Sequence, residues 1–261
     1  MIIPAPPDIA FKICSIPIYW YGIIMACAIL IAILIANKLG EKLFNKRDLI
    51  IEYAPIIIIS GILGARLYFC LLNFGHYILN PLEILDIREG GLSIHGALIG
   101  GIGALLYIAK KNHISFLNLL DSFACGTIFG QAIGRWGNYF NSEAYGIPTA
   151  SQNWGLFIPE SKRIAQYSDF SLFHPTFLYE SIFDLIAFVI LLFIFKKTSI
   201  KYKGLTFFYY LILYSMIRFF IERIRVDSAF NIGSIPIAEV ISVILFIIGV
   251  AGLIYCAKTR K

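Results

Sequence analysis

Charge is scarce in this sequence. Asp, Glu, Lys and Arg make up 15% of its 261 residues, where soluble domains carry about 25%. With 59% hydrophobic residues and a mean hydropathy of +0.78, the chain is too apolar for an ordinary soluble protein and reads as integral to a membrane. Cysteine pairing is missing as well. Cys14, Cys27, Cys70, Cys125 and Cys256 form no CxxC pair and mostly sit among apolar residues, which argues against a disulfide framework or a zinc site and leaves them as small hydrophobes. The four histidines, His76, His95, His113 and His174, lack metal-ligand spacing. No GxSxG elbow, HExxH or GxxxxGK[ST] loop occurs, against a lipase, a zinc protease and a nucleotide-driven pump. The formal charge of +6 does not signal nucleic acid, because the basic residues cluster in short segments between apolar runs and form no stripe interleaved with aromatics.

What is present is a series of apolar runs. Spanning a bilayer in a helix takes roughly 20 mainly apolar residues, since every backbone polar group must be satisfied without water. Seven runs qualify, at about 16–36, 49–72, 92–109, 116–133, 177–195, 205–221 and 237–257. The fourth is the weakest, diluted by Asp121, Gly126, Gly130 and Gln131. The expectation is an all-α, multi-pass membrane protein of seven transmembrane helices and a single integral domain, 1–261. The start, MIIPAPPDIAFK, has no basic segment leading into an apolar stretch with a cleavage site, so the first run is expected to be retained as a membrane helix. Glycines at Gly61 and Gly64, and at Gly96, Gly100 and Gly103, read as close helix packing.

Lys and Arg in the connections set the orientation, since they are retained on the cytoplasmic side. One set of ends carries thirteen of them, Lys38 to Arg47, Lys110 and Lys111, Lys196 to Lys203, and Lys258 to Lys261. The opposite set carries six: Lys12, Arg88, Lys162, Arg163, Arg223 and Arg225. The N-terminus is therefore expected outside and the C-terminus in the cytoplasm. The only long connection, 135–176, then faces outward between helices four and five, and a connection of that length without evident structure of its own is usually functional or mobile.

On this topology the chemistry-capable residues gather at the outer face. Trp20 and Tyr21 begin helix one, Ser93 and His95 helix three, and His174, Tyr179 and Glu180 helix five; Arg135 and Asn138 end helix four, and Tyr214, Arg218 and Glu222 end helix six. Tyr214, Arg218, Glu222 and Arg225 fall on one helical face. A charge within a membrane helix is costly and faces a partner or a wet cavity. Either Arg218 and Glu222 form a self-contained pair, or the three arginines at helix depth, Arg66, Arg135 and Arg218, form an excess that calls for an anionic ligand. Guanidinium favours phosphate or carboxylate through paired hydrogen bonds, and a phospholipid headgroup has the charge and the location. Trp20 and Tyr21 are equally readable as an aromatic belt, and His95, within GGLSIHGALIGG, as a structural histidine or a base.

Six motifs in one order carry a resemblance. They are WYG at 20–22, GAR at 64–66, GGLSIHG at 90–96, GRWGNYFNSEAYG at 134–146, HPTFLYE at 174–180 and YSMIRFFIERIRVD at 214–227. Together they resemble the prolipoprotein diacylglyceryl transferase family of bacterial inner membranes. That resemblance implies seven membrane helices, an outward-facing site and no metal or organic cofactor. It implies transfer of the diacylglyceryl group of phosphatidylglycerol to the lipobox cysteine of a prolipoprotein signal peptide, with release of glycerol phosphate. It further implies functional roles for Tyr21, His95, Arg135, Asn138, Glu143, Gly146, Tyr214, Arg218 and Glu222. Two positions depart from the family's pattern: Arg225, Val226 and Asp227 omit a customary proline, and Glu239 stands where a glutamine is usual.

For that reaction Arg135 and Arg218 are expected at the phosphate leaving group, Tyr21 and Asn138 at the headgroup, Gly146 where the lipid nears the backbone, and Glu222 as the support of Arg218. His95 is the first choice to accept the thiol proton, with Glu143 or a tyrosinate-assisted route as alternatives. A lipid or anion transporter would also collect arginines in a membrane cavity, but it should offer polar groups to both faces, and here they favour one. A structural scaffold would have no use for the cluster.

Overall fold

The computed structural model describes residues 1–87, 90–151, 153–198, 201–226, 231–232 and 235–258. Arg88, Asp227, Arg260 and Lys261, which entered the charge count or a motif above, lie outside the described residues. The helices are α1 Trp20–Phe44, α2 Leu49–Glu52, α3 Ala54–Leu72, α4 Phe74–Tyr77, α5 Ile94–Lys111, α6 Phe116–Asn141, α7 Thr176–Thr198, α8 Leu205–Glu222 and α9 Ile237–Lys258. Short strands complete the chain: β1 Ile2–Ile3, β2 Ile9–Ile13, β3 Ile16–Tyr19, β4 Gly155–Phe157, β5 Leu172–Phe173, β6 Asn231–Ile232 and β7 Ile235–Pro236. Among the described residues, α1, α3, α6, α7, α8 and α9 are long and apolar enough to cross a membrane. Their outward residues are apolar, as Leu63 and Leu67 on α3, Val189 and Phe193 on α7, and Ile247 and Ile254 on α9 are all more than half exposed. Exposed side chains of that kind on every turn suit lipid, and the chain is a multi-pass membrane protein. The third apolar run also folds as a helix, α5, but His95 near its start and Lys110 and Lys111 at its end reduce its apolar length.

Several expected boundaries shift for local reasons. The first run begins as strand: residues 16–19 pair with β2 as a hairpin whose turn places Cys14 at φ 53°, and the helix starts only at Trp20, whose N–H donates to the Asp8 carbonyl at 3.0 Å. The second run is split between α2 and α3 at Tyr53, where Pro55 enters the first turn of α3 and so needs no N–H partner. The fourth helix runs on to Asn141, so the connection between α6 and α7 occupies 142–175.

The chain divides into two compact units, residues 37–120 and residues 1–36 with 121–261. In the unit of residues 37–120, α3 packs on α5 by glycine-mediated contact. A Cβ added to Gly64 or Gly96 would run into the other's carbonyl oxygen, and one on Gly100 into the Ser60 carbonyl, so the two backbones touch directly, as small residues allow in membranes. Arg66, buried on α3, is not a spare cation. Its Nε donates to the Ile84 carbonyl at 2.9 Å and its Nη1 to those of Gly90 and Gly91 at 3.1 Å each, while Nη2 donates to the Glu83 carbonyl and the guanidinium lies 5.2 Å from the centre of the Tyr77 ring. Backbone carbonyls saturate it, and it ties down the connection that follows α3.

In the other unit α6 has a polar sequence because it is the most buried of the membrane helices. A Cβ on Gly126 would meet the Ala32 carbonyl of α1, and one on Gly130 would lie 3.1 Å from that of Ala28. Gln131 accepts a hydrogen bond from the Tyr210 hydroxyl of α8 at 3.5 Å. Asp121, fully buried, accepts from the Gly204 N–H at 2.6 Å and the Phe207 N–H at 2.8 Å. It thereby caps the N-terminus of α8, where backbone amides have no partner within the helix. The residues that weakened the fourth run as a membrane span are thus the ones that fasten it to its neighbours.

The connection 142–175 has structure of its own. β1 pairs parallel with β4, and β4 antiparallel with β5; Tyr145, Leu156, Ile158, Phe173 and Phe177 form a small buried core against them. The Tyr145 hydroxyl donates to the Lys162 carbonyl at 3.0 Å and accepts from the Ile164 N–H at 2.9 Å.

Asp121→Ala leaves two buried amides without an acceptor, so it should lower stability by about 1–3 kcal/mol, and Asp121→Asn, which keeps one acceptor oxygen, should lower it less. Unfolding of the purified protein in detergent micelles measures both. Unchanged stability of the alanine variant would mean that α8 does not depend on this cap.

Candidate functional site

Two helix ends and two helix starts bring the sequence-predicted residues of the first and last segments together. Arg135 lies two turns before the end of α6, Glu180 one turn into α7, and Arg218 and Glu222 on the last turns of α8. Arg135 Nη2 is 2.5 Å from Glu180 Oε1, Arg218 Nη1 is 3.7 Å from the same oxygen, and Arg218 Nη2 is 2.5 Å from Glu222 Oε2. Glu180 and Glu222 are almost fully buried, and the arginines are at most one-fifth exposed. The pair on α8 is therefore not self-contained, and the expected excess of unpaired arginine is corrected. Glu180 bridges Arg135 to Arg218 from a third helix, and Arg66 is satisfied by carbonyls. Arg218 Nη1, ion-paired to Glu180 at 3.7 Å, makes no hydrogen bond among the described residues.

Tyr214 sits one turn before Arg218, partly buried, stacked on Tyr210 at 5.8 Å between ring centres and within electrostatic range of Arg135, Arg218 and Glu180. Tyr21, on the first turn of α1, lies against Gly137, where an added Cβ would come within 2.8 Å of its ring. It interacts electrostatically with Glu143 and Arg135. The glycine in GRWGN is thus what admits the tyrosine beside the arginine.

Glu143 is oriented by the end of α6. Asn138 Nδ2 donates to Glu143 Oε1 at 2.9 Å and Asn141 Nδ2 to the same oxygen at 3.4 Å, while the Glu143 N–H donates to the Asn138 carbonyl at 3.0 Å. The residues on either side, Ser142 at φ 53° and Ala144 at φ 55°, hold left-handed backbone, a strained conformation for non-glycine residues that the surrounding structure must enforce. Part of that enforcement is visible, since the buried Thr176 hydroxyl donates to the Ala144 carbonyl.

Gly146 is gripped by the chain itself. Its N–H donates to the His174 carbonyl at 2.9 Å, it bridges to Arg225, and an added Cβ would lie 2.8 Å from His174 Cβ and 3.0 Å from the Ile224 carbonyl. The glycine lets the loop pass between the start of α7 and the end of α8. His174 supports the same turn through Nδ1, which shares a hydrogen bond with the Tyr179 hydroxyl at 3.0 Å. His95 belongs to the other unit, where it is exposed on the first turn of α5 with its ring 6.1 Å from that of Tyr68.

Asp184, one turn after Glu180 on α7, escaped the sequence reading. It is 1% exposed, and among the described residues neither carboxylate oxygen has a hydrogen-bond partner. The signal was available, because an acid at i and another at i+4 in an otherwise apolar membrane helix mark a functional site by default.

Fold and site define a class, a multi-pass helical membrane protein with a buried arginine and carboxylate cluster assembled from helix ends. The chain belongs to the prolipoprotein diacylglyceryl transferase family, whose model matches residues 8–255. Similar proteins come from several organisms. One from Parasynechococcus marenigrum is 38% identical, covering 98% of this chain and 96% of the relative. Another, from Trichormus variabilis, is 40% identical over 98% and 92%, and one from Clostridioides difficile is 41% identical over 97% and 96%. All three are named phosphatidylglycerol--prolipoprotein diacylglyceryl transferase.

Glu180→Ala removes the carboxylate that joins two guanidiniums from different helices. Breaking a buried pair by deleting one partner costs about 3–5 kcal/mol, so this variant should be markedly less stable to heat or denaturant in micelles than Glu180→Gln, which still accepts hydrogen bonds. Equal stability of the alanine variant and the wild type would show that α6 and α8 are not joined through Glu180.

Proposed function

We propose that this protein transfers the diacylglyceryl group of phosphatidylglycerol to the lipobox cysteine thiol of a prolipoprotein signal peptide. The single observation that carries the reading is the buried Arg135–Glu180–Arg218 bridge in a chain of this family. Two guanidiniums converge on one carboxylate oxygen, as they would on a phosphate oxygen, and this supports the reading. The chain is taken to lie in the bacterial inner membrane with seven spans, α5 included, N-terminus outside, C-terminus in the cytoplasm and 142–175 facing outward. The excess of lysine on the other set of helix ends supports that orientation.

The chemistry is a displacement at the glyceryl carbon. The cysteine sulfur forms a carbon–sulfur bond, the bond from that carbon to the phosphate oxygen breaks, and glycerol phosphate leaves with the electron pair. Negative charge on the phosphate grows as that bond opens, so Arg135 and Arg218 bind the transition state more tightly than the ground state. Glu222 holds Arg218 in register through the 2.5 Å contact. Tyr214, partly buried and within electrostatic range of both arginines, adds a hydroxyl to the leaving group's surroundings. Tyr21 and the Asn138–Glu143 pair orient the headgroup, and Gly146 keeps their loop in place. The thiol must lose a proton to become an effective nucleophile. His95 is the proposed acceptor of that proton, with Glu143 or a tyrosinate-assisted route as the alternatives.

Purified protein with phosphatidylglycerol and a lipobox peptide should yield a peptide heavier by one diacylglyceryl group in mass spectrometry, together with released glycerol phosphate. Absence of modified peptide, or equal donation by a zwitterionic phospholipid, overturns the reading. Arg135→Lys supplies a point charge without the planar fork and should lower kcat/KM about a hundredfold or more; a wild-type rate from that variant removes Arg135 from the mechanism.

A further inference from the structure

The scheme above gives Asp184 no task, yet its placement is specific. It faces Arg135 from α6, its own helix neighbour Glu180, and Tyr210, Tyr214 and Arg218 from α8, all within electrostatic range. It is not needed for charge balance. Glu180 and Glu222 already match the two guanidiniums one for one, and a bound phosphate diester adds another negative charge, so no cation is left for a third carboxyl group to balance. Nor is it needed as a structural hydrogen-bond partner, since neither oxygen is engaged among the described residues. Buried carboxylates left in that state are costly unless something else supplies a donor.

Ion pairs at 2.5 Å account for Glu180 and Glu222, whereas Arg218 Nη1, 3.7 Å from Glu180 Oε1, and the two oxygens of Asp184 make no hydrogen bond among the described residues. A phosphate oxygen meets the first requirement. It cannot meet the second in full, because a phosphate diester carries no hydrogen-bond donor and at least one oxygen of a carboxyl group is an acceptor in either protonation state. The hydroxyls of a polyol headgroup can. We infer that Asp184 is the residue that reads the headgroup, accepting hydrogen bonds from the hydroxyls of the glycerol beyond the phosphate, and that it selects hydroxyl-bearing anionic phospholipids over equally charged ones that lack hydroxyls. This rests on the transfer reaction proposed above and assigns its donor specificity. A site with a buried polar group built to pair with a substrate hydroxyl discriminates strongly, because an analogue without that hydroxyl leaves the group unpaired.

The test compares two monoanionic donors, phosphatidylglycerol and phosphatidylpropanol, mixed in equal amounts in the same micelles with the full-length enzyme and a lipobox peptide. Different deuterium labels on the acyl chains let the mass of the modified peptide report the donor. The wild type should prefer phosphatidylglycerol by about 10- to 100-fold, and Asp184→Asn should reduce that ratio about tenfold, in keeping with the cost of leaving a buried acceptor unpaired. An unchanged ratio in the variant, equal loss of transfer from both lipids, or no preference in the wild type overturns the inference. A purely electrostatic role predicts instead that neutralising Asp184 favours both anionic donors alike. A second measurement needs no variant: glycerol phosphate should inhibit the wild-type enzyme about tenfold more strongly than propyl phosphate, and equal inhibition overturns the inference too. Transfer from neither lipid by the wild type would strike at the proposed reaction itself.

Discussion

A guanidinium placed within a bundle of apolar helices must find a carboxylate, and in this protein the carboxylate comes from a different helix. Glu180 of α7 meets Arg135 of α6 at 2.5 Å and reaches Arg218 of α8 at 3.7 Å. The desolvation of three charges is offset only while the geometry holds, because a buried pair deprived of one partner leaves an uncompensated charge. That requirement fixes the mutual placement of three membrane helices at one end. At the other end Asp121 of α6 fastens the first amides of α8, so the α6–α8 pair is held by a carboxylate at each extremity. Between these points the Tyr210 hydroxyl of α8 donates to Gln131 of α6.

Local backbone then arranges smaller parts around the cluster. The left-handed residues Ser142 and Ala144 flank Glu143 and turn its carboxylate back onto Asn138 and Asn141. Gly137 makes room for Tyr21 beside Arg135. Gly146 lets the loop thread between His174 and Ile224, which anchors this turn to the starts and ends of the helices that carry the charges. The strain of the turn and the close approach at the glycine serve the same end, holding acidic and amide groups near a pair of cations that an anionic lipid would approach.

Much of this was legible beforehand. Apolar runs located every membrane helix to within a few residues in most cases, since the length needed to cross a bilayer is a property of the chain alone. The four-residue spacing of Tyr214, Arg218 and Glu222 correctly announced a polar face. Glu180 was noticed, but as one polar residue among several, and Asp184 was not noticed at all. Neither oversight was forced by chemistry, as two acids four apart in an apolar helix are conspicuous. What could not be read was that Glu180 serves two arginines, or that Arg66 spends its donors on the carbonyls of Glu83, Ile84, Gly90 and Gly91. The strand at 16–19 was hidden because an apolar β-branched segment beside a helix has no periodicity that separates the two.

The sequence by itself determined the class of the protein, its apolar segments, the family motifs and the residue types at the site, because hydropathy, composition and motif order are properties of the chain read in one dimension. Tertiary structure decided which charges pair. Ion pairing depends on distances of a few ångströms between helices remote in sequence, and no spacing along the chain encodes them. It therefore turned an apparent arginine surplus into a bridged cluster, gave Arg66 to the backbone, and exposed Asp184 as a buried group that makes no hydrogen bond among the described residues.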